Sequence, residues 1–471
     1  MIKNLYVNAL NGLRQFDMTF KLLLIYIITI PIMKTPNLPL LAQRIQFSEI
    51  IFLFLFICWL KVLMKNKRLL QDAGLNKPFL LFIFFCLLSF FDSTDLFRSA
   101  LEVIGLIYLY IVLILVVNIV NDKQKLDTII KVWICTLTVV LALGIIGWII
   151  CIVLGKGNPF CNAYRYETFS YHEKFPFLKN IYRILSTFRH SAGLANYLTV
   201  SLGFVISDLL LTGNIKYKTF LKIIIFFICL VMLGTISRNI LGFMLAAFLI
   251  YNHFYKTKNL KFKISRLISI LVIISAFLYI NLFLSIFHIN SFKIEKSPSL
   301  THNELAINTN YAYELRLGYK IAALEMVKRH PFLGIGLGMY PTYVKKLNGE
   351  DYFKKLLPLY HPIPHTIYFL SLPIADPHND ILGYFAETGI FGGFAFVFFI
   401  GIFLYLICIN FKNKAADQYF TARLFCFFAS FIGVLIDSID ADVFKGRHVW
   451  VLMAMSLALI TMHKNKVSKI A

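Results

Sequence analysis

Charge is what this chain has least of. Only 15% of its 471 residues are Asp, Glu, Lys or Arg, where a soluble protein of this size carries roughly 25%. Apolar residues make up 59%, and phenylalanine alone occurs 47 times. That much apolar surface cannot be hidden in a water-soluble core and calls for a bilayer. Cysteine supplies no framework. Cys58, Cys86, Cys135, Cys151, Cys229, Cys408 and Cys426 fall inside apolar runs, where cysteine is a small hydrophobe, and Cys161 lies alone in a polar loop. Neither a disulfide scaffold nor a paired-cysteine metal site is indicated. Met1 to Thr19 lacks a short apolar core followed by small residues, so the first span is expected to serve as its own insertion signal.

The formal charge of +23 does not point to nucleic acid. The lysines and arginines sit in short clusters between apolar runs, a pattern of membrane topology and not of a basic docking face.

About twelve apolar runs approach the ~20 residues that cross a bilayer. They lie near 19–33, 48–64, 79–91, 100–120, 129–154, 194–212, 219–235, 238–255, 267–287, 391–411, 419–437 and 447–462. Backbone groups in lipid must bond within their own segment, so each run is expected to be a helix. With the N-terminus inside, every second gap is basic: Lys65, Lys67 and Arg68, then Lys123 and Lys125, then Lys216 and Lys218, and so on to Lys464 and Lys466 in the tail. Most acids, including Asp92, Asp95, Asp437, Asp440 and Asp442, fall in the outside gaps. The positive-inside rule therefore places both termini in the cytoplasm. The expectation is an all-α polytopic protein, a single integral membrane domain over 1–471. Its large outside loop, 288–390, is partly helical, with a helical pattern at 312–329.

Polar chemistry gathers on the outside. Arg238, after Ser237 at a span edge, is either a snorkelling interfacial arginine or a fixed cation facing an anionic headgroup. Arg316, on the loop helix, is either a solvated charge or a phosphate clamp, for which its planar fork is suited. His378 and Asn379 precede nine residues and then Gly389-x-x-Gly392. Asn379 or Asp380 caps a following helix on one reading; on the other His378 is a general base, the side chain whose pKa permits proton abstraction near neutral pH. Gly334-Ile-Gly-Leu-Gly338 lacks the Gly-Lys-Ser/Thr of a nucleotide loop and follows a helix, so it reads as a helix stop and packing turn. His361, His365 and His378 match no strong zinc spacing, and no metal is expected. Arg183, Arg189, His190 and Asn196 form one polar cluster, and Asp437, Asp440, Asp442, Arg447 and His448 another. Each is a headgroup-level rim or a substrate contact, with the rim favoured.

These pieces together resemble the O-antigen ligase superfamily, the Wzy_C family of membrane glycosyltransferases. The similarity is strongest over 310–400 and rests on four places. Thr235-Ile-Ser-Arg238 is similar to the family's Ser-Arg at a span edge. Arg316 with Pro331-x-x-Gly334-x-Gly336-x-Gly338 resembles its loop-helix arginine and glycine signature. His378-Asn379-x9-Gly389-x-x-Gly392 matches its ligase motif, and Ser186-Thr-Phe with Asn196 looks like its Gly-Thr-Phe…Asn. One departure is Gly393, where Thr or Val is usual.

The resemblance implies a metal-independent enzyme of the bacterial inner membrane that needs no cofactor. It would move a glycan from undecaprenyl diphosphate to an acceptor hydroxyl at the periplasmic face, with lipid A–core the first choice of acceptor. His378 would be the base, and Arg238 and Arg316 would bind the diphosphate. Asn379, Arg183, Arg189, Gly389 and Gly392 are the expected substrate-binding positions. A polysaccharide polymerase and a protein O-oligosaccharyltransferase share the donor and stay open as alternatives. A transporter or flippase is the alternative from another class, disfavoured because midspan positions are nearly free of charge.

Overall fold

The computed structural model describes residues 16–33, 46–66, 74–154, 157–163, 182–256, 309–350, 376–411 and 417–468. Among these, thirteen α-helices follow one another: α1 Met18–Thr29, α2 Phe47–Asn66, α3 Asn76–Leu88, α4 Leu96–Ile119, α5 Lys123–Leu154, α6 Ser191–Leu211, α7 Ile215–Gly234, α8 Ile240–Lys256, α9 Thr309–Arg329, α10 Tyr340–Gly349, α11 Asp380–Phe411, α12 Gln418–Asp437 and α13 Arg447–Ser468. Seven of them (α2, α4, α5, α6, α7, α11 and α12) are long and apolar enough to cross a membrane, with α1 and α8 shorter apolar helices. This is a membrane protein. Eleven of the twelve expected spans fall on a helix; the one near 267–287 lies outside the described residues. Two three-residue strands add to the all-α expectation. β1, Cys161–Ala163, pairs antiparallel with β2, Tyr182–Ile184.

Helix starts follow local capping chemistry. The side chains of Asp17, Asp95, Asn214 and Asp417 each accept a hydrogen bond from the backbone N–H three residues on, at 2.8–3.2 Å. Each satisfies one of the donors that a helix N-terminus leaves free.

The core is built on α6, which is buried along most of its length. It packs against α8 and α12 through small residues that let backbones approach. A Cβ on Gly203 would meet the Ser430 hydroxyl and the Cys426 carbonyl at 2.5 and 2.7 Å, and Gly242 and Gly433 face each other across α8 and α12. One end of this bundle is tied by a buried arginine. Arg423 of α12 donates to Asp208 (2.7 Å), Asp127 (2.8 Å) and Ser207 (2.9 Å), so that α5, α6 and α12 share one ion-paired knot. A charge buried this deeply inside the protein persists only when paired and hydrogen-bonded. At the opposite end Arg447, opening α13, reaches Gln46 (2.7 Å), Glu49 and the Tyr108 hydroxyl (3.2 Å).

The glycine-rich turn docks the loop helices onto the bundle. Helix α11 is broken at Gly389, whose φ is 70°. The break frees backbone groups, and the turn supplies their partners. Ile335 and Gly336 N–H donate to the Ala386 and Glu387 carbonyls (3.1 and 3.0 Å), and Ile390 N–H donates to the Pro331 carbonyl (2.8 Å). Gly334, Gly336 and Gly338 all have positive φ. A Cβ on Gly334 would strike the backbone of Glu387, and one on Gly389 the carbonyl of Phe332. The turn is also stapled to α4, where the Ser99 hydroxyl donates to the Leu337 carbonyl (2.7 Å). The segment is a packing turn, as its sequence indicated.

Candidate active site

Three residues other than glycine have positive φ among those described: Ser186 (49°), Ile236 (46°) and His378 (52°). Each falls in one of the segments singled out by the sequence. A β-branched residue such as Ile236 is a genuine outlier there, and held strain of this kind concentrates at functional sites.

Arg183 holds the Ile236 turn. Its guanidinium donates from Nε to the Thr235 carbonyl (2.9 Å) and from Nη2 to the Ile236 carbonyl (3.0 Å). The turn in turn presents Arg238, two residues on. Arg189 donates to the Met33 carbonyl (3.1 Å), beyond the end of α1.

The segment joining α12 to α13, residues 438–446, organises the site. It meets the approach to α11 at every step. The Asp376 carboxylate lies 3.7 Å from Lys445 Nζ. His378 Nδ1 lies 3.7 Å from Asp442 Oδ2. Asn379 Nδ2 donates to the Ile439 carbonyl (2.9 Å), while its Oδ1 accepts from Leu382 N–H (2.8 Å) as the cap of α11. Asp380 donates its N–H to the Ser438 carbonyl (3.1 Å), and its buried carboxylate accepts from Val443 and Phe444 N–H (2.7 and 3.2 Å). Two residues before Asp442, Asp440 takes Arg238 at 3.3 Å and Lys320 of α9 at 3.5 Å. The imidazole of His378 packs edge-on to Tyr319 of α9, ring centres 5.7 Å apart. Lys445 is half exposed, and the carboxylates of Asp376, Glu102, Asp442 and Glu387 hold its pKa above the usual lysine range.

His378, Asn379 and Arg238 therefore come together, through Asp442, Ile439 and Asp440 of one short segment. Arg316 is on α9, one turn before Lys320; its side chain, with His361 and His365, lies outside the described residues. Arg183 and Arg189 make the backbone contacts just given. Gly389 and Gly392 shape α11: Gly389 makes the kink, and a Cβ on Gly392 would strike the Thr388 side chain.

Lys320 and Lys445 were missed by sequence reasoning. Asp440 and Asp442 were picked out there as part of a headgroup-level rim or a substrate contact, with the rim favoured, and the structure pairs them with Arg238, Lys320 and His378.

Residues 223–397 match the O-Antigen ligase family (Wzy_C). The matched stretch contains Arg238, α9, the glycine-rich turn, His378 and the kink of α11. It stops short of Asp440 and Asp442, which lie on the segment joining α12 to α13. No curated protein matches the chain.

Proposed function

We propose that this protein is a glycosyltransferase of the ligase or polymerase type, set in the bacterial inner membrane with both termini in the cytoplasm. It transfers a glycan from undecaprenyl diphosphate to an acceptor hydroxyl at the periplasmic face, with lipid A–core as the acceptor. The observation that carries this reading is the joint anchoring of a histidine and an arginine on one acidic segment: His378 on Asp442, Arg238 on Asp440.

The chemistry follows from those positions. The C1–O bond to the diphosphate breaks, and its electron pair leaves with the lipid diphosphate. The acceptor oxygen forms the new bond to C1, and its proton passes to His378. Asp442 lies on the Nδ1 side, which assigns Nε2 as the nitrogen that takes the proton, and its charge stabilises the imidazolium that results. General-base help of this kind is worth roughly 10²–10⁴ in rate. A single displacement inverts the anomeric centre. Charge grows on the leaving group as the bond breaks, and Arg238 and Arg316 supply fixed cations where it develops.

Deleting the gene in its host and reading the surface glycan on a gel tests the proposal. Bare lipid A–core with accumulated lipid-linked chains supports transfer to lipid A–core. Core carrying a single repeat turns the reading to a polymerase, and underglycosylated envelope proteins with unchanged lipopolysaccharide to a protein-directed enzyme. Unchanged glycans throughout overturn the proposal.

A further inference from the structure

Lys320 belongs to no motif in the sequence. It lies on α9, its Nζ 3.5 Å from Asp440 Oδ1, while Arg238 Nη1 approaches the other oxygen of the same carboxylate at 3.3 Å. Among the described residues, two cations from distant parts of the chain thus meet one carboxylate.

The geometry of these contacts differs from that of the buried Arg423 knot. Arg423 meets its carboxylates at 2.7 and 2.8 Å with 2% of its side chain exposed. Arg238 and Lys320 stand farther from Asp440, and each is 31% exposed. A well-formed charge-assisted hydrogen bond measures about 2.7–2.9 Å. The pair on Asp440 is longer and open to water, so a multivalent anion can displace the carboxylate without crossing a packed core. Lysine suits such a place: its ammonium is a compact charge on a flexible stem and can follow an anion whose oxygens move during reaction.

We infer that Lys320 is a further binding residue for the lipid-linked diphosphate, and that Asp440 is the counter-ion which holds Arg238 and Lys320 together until the diphosphate replaces it. This rests on the reading of the site as a glycosyltransferase. It assigns Lys320 to the donor side, apart from His378, and makes the bound diphosphate take over from Asp440 as the link between α9 and the start of α8.

The test uses the full-length protein in detergent and in reconstituted vesicles. Lys320→Met raises the donor KM by roughly ten- to a hundredfold, the usual worth of a hydrogen bond to a charged group. The acceptor KM and the melting temperature stay as in wild type, and Lys320→Arg recovers most of the loss. Farnesyl diphosphate protects wild type against thermal unfolding, protects Lys320→Met less, and protects Asp440→Asn at lower concentration because no carboxylate competes. An unchanged donor KM in folded Lys320→Met, or an equal rise in both KM values, overturns the assignment. So does protection by phosphatidylglycerol vesicles equal to that by farnesyl diphosphate, which would mark a lipid-headgroup site. If wild type transfers glycan and Lys320→Met matches it, this inference alone fails. If wild type transfers none from a lipid-linked donor, the reaction it rests on fails.

Discussion

Asp442 faces Nδ1 of His378 at 3.7 Å, and His378 holds a left-handed backbone conformation beside it. The distance is that of an ion pair that can tighten when the imidazole gains a proton, as contacts at unliganded sites commonly do. Asp442→Asn keeps the shape and removes the charge. It is expected to lower kcat roughly a hundredfold or more while the donor KM changes little. Steady-state kinetics on the reconstituted variant check this; a donor KM effect with intact kcat would place Asp442 on the donor side instead.

The arginines are expected to be intolerant of lysine. Arg238 sits at the mouth of α8 beside Asp440, and Arg316 one turn before Lys320. A guanidinium fork meets two phosphate oxygens at once, and an ammonium cannot. Arg316→Lys and Arg238→Lys should each cost at least about tenfold in kcat/KM with unaltered expression and melting. Near-normal transfer by both would remove the bidentate contact from the mechanism.

Arg183 acts on the site from behind. Its two hydrogen bonds to the Thr235 and Ile236 carbonyls hold the turn that carries Arg238. Arg183→Met leaves those carbonyls without this donor and should cost about 1–3 kcal/mol of stability. The donor KM should rise with it, because Arg238 loses its fixed position. If Arg183 instead touches substrate directly, the donor KM rises with no fall in thermal stability.

Gly389 is the joint between the loop helices and the bundle. Its φ of 70° and its closeness to Phe332 leave no room for a side chain. Gly389→Ala should destabilise by roughly 1–3 kcal/mol or prevent folding, since both the conformation and the contact must be given up. Gly401 on the same helix has nothing within 4 Å of where a Cβ would stand. Gly401→Ala should be neutral or slightly stabilising. Equal melting temperatures for the two variants would contradict the joint.

Much of the fold was readable because it is set locally. Apolar runs mark spans, and the cap read at Asn379 or Asp380 is Asn379, which accepts from Leu382 N–H at the start of α11. The boundaries moved where an apolar run measures the bilayer and not the helix. Helix α5 begins at Lys123, before its apolar run, and α11 continues back from the apolar run through the Gly389 kink to the Asn379 cap. Of the candidate site, His378 and Arg238 were singled out in the sequence, and the structure brings both to one segment. Their pairing with particular acids was not legible there. Asp440 meets Arg238 and Lys320, and Asp442 meets His378, across long stretches of chain. Such pairings leave no period or spacing in the sequence. For the same reason the Arg423 knot, drawn from three helices, was invisible until those helices were packed.

The central claim is that His378 takes the acceptor's proton. It is tested most directly by purified protein in vesicles, given a polyprenyl-diphosphate-linked glycan and an acceptor, with wild type and His378→Ala run side by side. The account expects transfer by wild type and a fall of roughly 10²–10⁴ in kcat for the variant. Farnesyl diphosphate should still protect both from thermal unfolding to the same extent. Transfer by His378→Ala within a few fold of wild type would contradict it.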